Sequence, residues 1–208
     1  MQVINLKTLS ETEDKYFDRV EASDYEYACE LSERVMQSLV QLDNAMLCTQ
    51  MSRLDHSLQA ATRAWFDGAD LDWIVAALVH NIGHVHAPFD SDEYASLLLR
   101  PFVREQCSWI AKTHCEFAKY HYGAQIGHDP NERERYRGTI YFNDAVEFCD
   151  RWDSVSLDPS YPRLPLEFFH PFVDSVFSRS PYDITVTRPR GRVPLVDERA
   201  AQSRSMPA

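Results

Sequence analysis

Residues 71–84, LDWIVAALVHNIGH, constrain the fold most, because this segment is apolar on nearly every side. A helix without a polar face has to run through the interior of a protein, so other helices must surround it. Gly68 in FDGAD (66–70) breaks the chain just before the segment, and Asp70 can cap its first turn. The sequence therefore predicts a central helix enclosed by the rest of the domain.

The flanking segments also repeat their apolar residues with a helical period. Residues 24–42 place such residues about four apart, and so does the stretch from Met51 to Trp65. The loop at 86–92 is followed by a new helix that starts at Ser91 or Asp92. Further helices are predicted over 92–100, 102–121 and 131–151. Strand-like alternation is scarce and the chain has only 6 glycines, so an all-α fold is predicted.

The chain length of 208 residues suits one domain, which we place at residues 1–184. Beyond Pro159 the composition is rich in proline and aromatic residues, which predicts a loop and a short helix packed on the domain. Exposed aromatic residues in this stretch would suit a homodimer contact. Residues 185–208 have few large apolar side chains and no periodicity, so they are predicted to be a disordered tail.

The net charge and the cysteines indicate which partners are disfavoured and which cellular compartment is favoured. Asp and Glu number 32 against 21 Lys and Arg, and a net charge of -11 disfavours nucleic acid and anionic membranes. No apolar run approaches the roughly 20 residues of a membrane span, and the N-terminus does not resemble a signal peptide. The 5 cysteines form no CxxC pair, which favours small buried side chains in a reduced, cytoplasmic protein.

Three of the 8 histidines, His56, His80 and His114, lie in apolar helical segments. A buried imidazole needs partners for both nitrogens, and one such residue is usually a satisfied core histidine. Three of them on successive core-facing helices point instead to a shared metal ion, for which imidazole is a standard ligand. Asp153, at the end of a later helix, would add a carboxylate. We expect these four side chains to line one pocket.

The order of these motifs resembles that of HD-domain proteins. LDHSLQAA, ALVHNIGH, a helix-borne histidine and a late WD follow the pattern H…HD…H…H…D over residues 46–180. The chain is most similar to the oxygen-activating branch, which includes myo-inositol oxygenase and the phosphonate-cleaving HD oxygenases. Its later HYG, RYRG and FCDRWDS segments resemble an uncharacterised group of small HD proteins. The resemblance implies an HD-domain helical bundle that acts on a small molecule.

The resemblance also assigns roles to individual residues. It implies that His56, His80, His114 and Asp153 are metal ligands. His84 matches a histidine that faces the substrate in the HDxGH form of the motif, so His84 and His114 are the candidate catalytic residues.

The chain departs from the HD pattern at several positions. The aspartate that bridges two ions is Asn81 here, and the histidine expected after the loop is Ser91, between two aspartates. The tyrosine and glutamate that the phosphonate branch uses correspond to Met46 and Thr49. A neutral amide cannot offset two close cations.

These departures predict a mononuclear iron site held by His56, His80 and Asp153, the two-histidine, one-carboxylate set typical of non-haem iron. A second ion would keep only His114 as a certain ligand. Its substitute ligands would come from the nearby side chains Asp90, Asp92, His84 and His86. A pocket without metal, whose histidines act as general acid and base, is the alternative.

Three functions follow from these readings. The first is an iron oxygenase that uses O2 on a small polar metabolite, with Asn81, Lys119 and His121 as substrate-binding residues. The second is a metal-dependent phosphohydrolase, which the missing bridging carboxylate and the lack of a Lys and Arg cluster disfavour. The third is a repurposed scaffold, either a metal-independent lyase, isomerase or cyclase or a binding protein. For the run KYHYGAQIGHD (119–129), helix-end packing is the alternative to a substrate mouth.

Overall fold

The computed structural model describes Ser23, Tyr27 and residues 30–43 and 50–204. Within these residues the chain is helical and contains no β-strand, which confirms the all-α prediction for this part of the chain. The α-helices, in chain order, are α1 (Leu31–Val40), α2 (Arg53–Phe66), α3 (Leu71–Val79), α4 (Gly83–His86), α5 (Ser91–Leu99), α6 (Glu105–Tyr122), α7 (Phe142–Phe148), α8 (Leu166–Phe177) and α9 (Glu198–Gln202). Two 3₁₀ turns, Gly123–Ile126 and Glu132–Tyr136, and one π-helical turn, Cys149–Asp153, lie between these helices.

Helix α3 is the centre of the molecule, as its apolar sequence predicts. Every residue from Asp72 to Val79 is buried, and α2, α6 and α8 pack around it. Trp73 meets Phe148 and Trp152 in edge-on or tilted ring contacts. Because α3 is central, its C-terminal end and His80 lie in the core.

The helix starts follow the sequence signals closely. The Asp70 side chain accepts a hydrogen bond from the Trp73 backbone N–H, which confirms the predicted cap of α3. At the start of α2, Ser52 and Asp55 form a reciprocal capping box. Helix α5 begins at Ser91, as predicted.

The apolar segment 71–84 is not one helix, however. Helix α3 ends at Val79, a tight turn follows, and α4 begins at Gly83. The backbone of α5 passes so close to Gly83 that an added Cβ would lie 2.0 Å from the carbonyl oxygen of Ser91. This close approach requires glycine and fixes α4 against α5.

The prediction of one helix over 131–151 was wrong. A 3₁₀ turn at Glu132–Tyr136 and a break around Gly138 precede α7, and α7 continues into the π-helical turn Cys149–Asp153. Glycine loses more conformational freedom in a helix than other residues do, so Gly138 favours a break there. The π-helical turn adds one residue per turn. Within it, Trp152 donates to Asp67 and Asp153 faces the interior.

The C-terminal segment differs from the disordered tail predicted for residues 185–208. Leu195 is fully buried, and the Val193 carbonyl accepts hydrogen bonds from the side chains of Trp73 and Gln106. Arg192 forms a two-point ion pair with the buried Asp144. The buried leucine, these hydrogen bonds and this ion pair attach the segment to the domain, although it has few apolar residues. The structure describes this segment as far as residue 204.

No helix in the part of the chain that the structure describes combines the length and the apolar character needed to cross a membrane.

Candidate metal centre

Three buried side chains from separate elements meet at the core end of α3. His56 lies one turn into α2, His80 caps the C-terminus of α3, and Asp153 closes the π-helical turn. The Nε2 atom of His56 is 3.0 Å from Oδ1 of Asp153 and 3.2 Å from Nε2 of His80. His80 Nε2 is 3.5 Å from the same carboxylate oxygen. The structure thus brings together three of the four predicted ligands.

The hydrogen bonds on the far side of each imidazole fix where its proton lies. His56 Nδ1 is 3.0 Å from the carbonyl oxygen of Ser156, and His80 Nδ1 is 2.7 Å from that of Ala77. A carbonyl oxygen can only accept a hydrogen bond, so both Nδ1 atoms must carry protons. In a neutral imidazole the Nε2 atom is then a bare acceptor. The Nε2 atoms of both rings and a carboxylate oxygen of Asp153 then face one another, and a cation stabilises such an arrangement of ligand atoms.

The spacing of the three atoms also fits a single ion. For metal–ligand bonds of about 2.1 Å, ligand atoms lie about 3.0 Å apart at right angles and about 3.4 Å apart at the tetrahedral angle. The observed separations of 3.0, 3.2 and 3.5 Å span this range. The three ligand atoms of His56, His80 and Asp153 are therefore spaced as the ligands of a single ion would be.

The charge states of the site suit a metal ligand set. Burial, reinforced by the nearby His114, lowers the pKa of His80 to about 4 against the opposing effect of Asp153. His80 is therefore neutral near pH 7. Burial alone would raise the pKa of Asp153, but its contacts with His56 and His80 hold that pKa well below the usual range. The site supplies a neutral imidazole and a carboxylate at physiological pH.

Asn81 adjoins the three ligands at the position where the HD pattern has a bridging aspartate. Its Nδ2 atom is 2.5 Å from Nε2 of His80. When no ion is bound, this amide donates a hydrogen bond to His80. If the side-chain amide were flipped, its oxygen would face an ion instead. His56 Nε2 and Oδ1 of Asp153 stay in direct contact at 3.0 Å beside this amide.

His114 does not join the first three ligands. Its ring lies edge-on to His80 with a centroid distance of 4.8 Å, and its Nδ1 is 2.9 Å from the Ala111 carbonyl oxygen. Its Nε2 faces Cys115, whose sulfur is 3.5 Å away and also 3.3 Å from Oδ1 of Asp92. We expected four ligands to line one pocket. The structure instead forms two groups, His56–His80–Asp153 and Asp92–His114–Cys115.

A surface cleft of about 470 Å³ has none of these ligand residues among its described lining. His84 and Arg53 line it, together with the end of α1 and Asp43. His84 is half-buried, and burial followed by the charge of Arg53 lowers its pKa, while Asp92 opposes the shift. The same imidazole interacts electrostatically with His56 and His114. His84 thus lines the cleft and lies within electrostatic range of residues of both groups.

Two predicted substrate-binding residues are held elsewhere by carboxylates. Lys119 forms an ion pair with Glu132 at 2.7 Å, and Nε2 of His121 lies 2.9 Å from Oδ1 of Asp150. Both acidic partners are distant in sequence, so the spacing of the run 119–129 could not reveal them. These contacts favour the alternative reading of that run, helix-end packing.

The remaining predicted positions contribute less. His86 is exposed and contacts the Ser38 hydroxyl at 3.0 Å, and Asp90 is exposed at the start of α5. Met46 and Thr49, which match the tyrosine and glutamate of the phosphonate branch, lie outside the described residues.

The sequence reasoning missed Arg53, Cys115 and the carbonyl group of Ser156. Arg53 precedes His56 by three residues and so shares its side of α2, a signal that was available from helical spacing. Cys115 directly follows His114 but was interpreted with the other cysteines as a small buried side chain. The Ser156 carbonyl belongs to the turn after the π-helical turn, and no sequence pattern marks it.

No protein-family model matches this chain, and no curated protein is found to be similar to it.

Proposed function

We propose that this protein is a mononuclear non-haem iron oxygenase of the HD type that acts on a small polar metabolite. The observation that carries the proposal is the convergence of His56 Nε2, His80 Nε2 and a carboxylate oxygen of Asp153 within 3.0 to 3.5 Å of one another. Two histidines and one carboxylate on one face are the set that suits Fe(II) with open positions for substrate and O2. The HD resemblance of the motifs supports the same assignment.

The protein's own part in this chemistry is to hold and orient the ligands. The Ser156 and Ala77 carbonyl oxygens fix both imidazoles in the tautomer that presents Nε2. When bound, Fe(II) would supply the O2 reactivity that side chains lack. Full burial of His80 and near-complete burial of Asp153 keep water from competing on the protein side of the site.

The cleft supplies the substrate side. Arg53 lines the cleft, and a guanidinium can bind an anionic or strongly polar group through paired hydrogen bonds. His84 is predominantly neutral near pH 7 because its pKa is lowered, and it can accept a proton from a bound substrate. Arg53 would therefore orient the substrate and His84 would move its proton.

A metal-independent enzyme is the second candidate, and one observation favours it. The Asn81 amide satisfies His80, and His56 is in direct contact with Asp153, so these side chains have partners without a metal. His56 and His84 would then act as general acid and base. A phosphohydrolase is less well supported, because Asn81 replaces the bridging carboxylate and Arg53 is the one Lys or Arg among the described residues that line the cleft.

Metal analysis of the purified protein tests the proposal. After anaerobic incubation with one equivalent of Fe(II) and gel filtration, we expect about one iron per chain. Asp153→Asn should lose this iron, because it removes the charged ligand. Asp150→Asn should keep it, because that side chain is part-exposed and pairs with His121. Equal iron content in the two variants, or none in the unmodified protein, would rule the site out.

Activity separates the three functions. Iron-dependent O2 uptake with a panel of small amino, hydroxy and phosphonic acids would support the oxygenase. For a compound that supports this uptake, Arg53→Gln should raise KM more than it lowers kcat. Release of phosphate from phosphate esters with Mn²⁺ would support the phosphohydrolase instead. Turnover of a substrate that persists in a strong chelator would support the metal-independent enzyme and overturn the proposal.

A further inference from the structure

The second group of ligands, Asp92, His114 and Cys115, has its own geometry. Asp92 lies in the first turn of α5, and His114 and Cys115 are consecutive residues of α6. The Cys115 sulfur is 3.3 Å from Asp92 Oδ1 and 3.5 Å from His114 Nε2. His114 is buried, while Asp92 and Cys115 are partly exposed. The group is thus anchored in the core and reachable from solvent.

The three side chains also have partners that fix their orientation. His114 Nδ1 must donate to the Ala111 carbonyl oxygen, so Nε2 is the ring atom that faces Cys115. The Ser91 hydroxyl donates to Asp92 Oδ1, the same oxygen that the Cys115 thiol approaches. One ring nitrogen, one sulfur and one carboxylate oxygen, all potential metal ligands, therefore lie within 4.8 Å of one another.

The separations match those around a tetrahedral ion with mixed ligands. With Zn–S bonds of about 2.3 Å and Zn–N bonds of about 2.0–2.1 Å, the sulfur and nitrogen atoms lie about 3.5 Å apart. The sulfur–nitrogen distance here is 3.5 Å. A thiolate and a carboxylate together carry two negative charges, which balance a divalent cation without help from Asn81.

We propose that Asp92, His114 and Cys115 form a second cation site, selective for thiophilic divalent ions such as Zn²⁺ and Cd²⁺, with water as the fourth ligand. The thiolate distinguishes this site from the ligands that the HD resemblance implies for a second ion, which are a bridging carboxylate and histidines. A soft sulfur ligand favours such ions over the hard cations Mg²⁺ and Ca²⁺. The site stands on its own geometry and does not depend on the iron proposal.

Titration with Cd²⁺ tests this site, because a cadmium–thiolate bond gives an ultraviolet charge-transfer band. The full chain, reduced and freed of metal, should show this band as it binds Cd²⁺. Cys115→Ser should lose the band at this site, and Asp92→Asn should weaken binding at least tenfold. Cys107→Ser and Asp90→Asn are the matched controls, since Cys107 is buried beside Arg104 and Asp90 is exposed. Both controls should bind like the unmodified protein.

Two outcomes would overturn the proposal. Cys115→Ser and Cys107→Ser could bind Cd²⁺ equally well, or Asp92→Asn could bind as tightly as Asp90→Asn. The comparison with iron separates the two sites: Cys115→Ser should lose Cd²⁺ and keep iron, whereas Asp153→Asn should lose iron and keep Cd²⁺. Loss of both ions in either variant, with the helical circular dichroism intact, would contradict two independent sites.

Discussion

At the scale of single residues, the sequence predicted that His56, His80 and Asp153 lie close together, but not that His114 belongs to a separate group. Three histidines in apolar helices and one late aspartate were recognisable because buried imidazoles need partners. The structure joins His56, His80 and Asp153 and turns the Nε2 of His114 toward Cys115 instead. That difference depends on ring orientation, which the Ala111 carbonyl oxygen sets and sequence spacing cannot show.

Asn81→Asp tests whether the missing charge limits iron content. We expect iron to rise from about one toward two per chain, because the new carboxylate lies beside His80 and offsets part of a second cation's charge. The measurement is iron per chain after anaerobic loading with excess Fe(II), in a Cys115→Ser background that removes the thiol ligand. Asn131→Asp, at an exposed position, should leave the content at one. An unchanged content in Asn81→Asp would count against the ligand assignment.

At the scale of elements, the helix starts were predictable and the helix ends less so. Asp70 and Ser91 mark the starts of α3 and α5 because capping chemistry is local. The break between α3 and α4 depends on the approach of α5, and the interruption of 131–151 on how the chain turns around Gly138. The approach of α5 to Gly83 is a contact between separate segments, so periodicity within one segment does not reveal it.

Gly83→Ala tests the close approach of α4 and α5. An added methyl group would meet the backbone of Ser91, and backbone cannot move aside as a flexible side chain can. We expect a loss of about 3 kcal/mol in the free energy of unfolding, measured by urea denaturation of the metal-free protein. Gly138→Ala is the control, because nothing lies within 4 Å of its added carbon, and it should change stability by less than about 0.5 kcal/mol. Equal effects would contradict the described packing.

At the scale of the whole molecule, the C-terminal segment completes the domain. Composition predicted disorder because the segment has few apolar residues, yet Leu195 is fully buried and Arg204 stacks on Trp65. Ion pairs and backbone hydrogen bonds to distant helices replace apolar area here, and composition does not report such pairings. The segment covers the side chain of Trp73, so it supports the helix that carries His80.

Leu195→Ala should therefore destabilise the protein by about 2–5 kcal/mol, as expected for a cavity in a packed core. Urea denaturation followed by circular dichroism measures the change. Leu157→Ala, at an exposed position, should cost less than about 0.5 kcal/mol. A Leu195→Ala variant as stable as Leu157→Ala would show that the segment does not contribute to the fold.

The most direct test of the metal centre is anomalous X-ray diffraction from crystals grown anaerobically with one equivalent of Fe(II). We predict one iron peak within about 2.0–2.2 Å of His56 Nε2, His80 Nε2 and a carboxylate oxygen of Asp153. Density with no iron peak there, and with His56 hydrogen-bonded directly to Asp153, would contradict the metal centre.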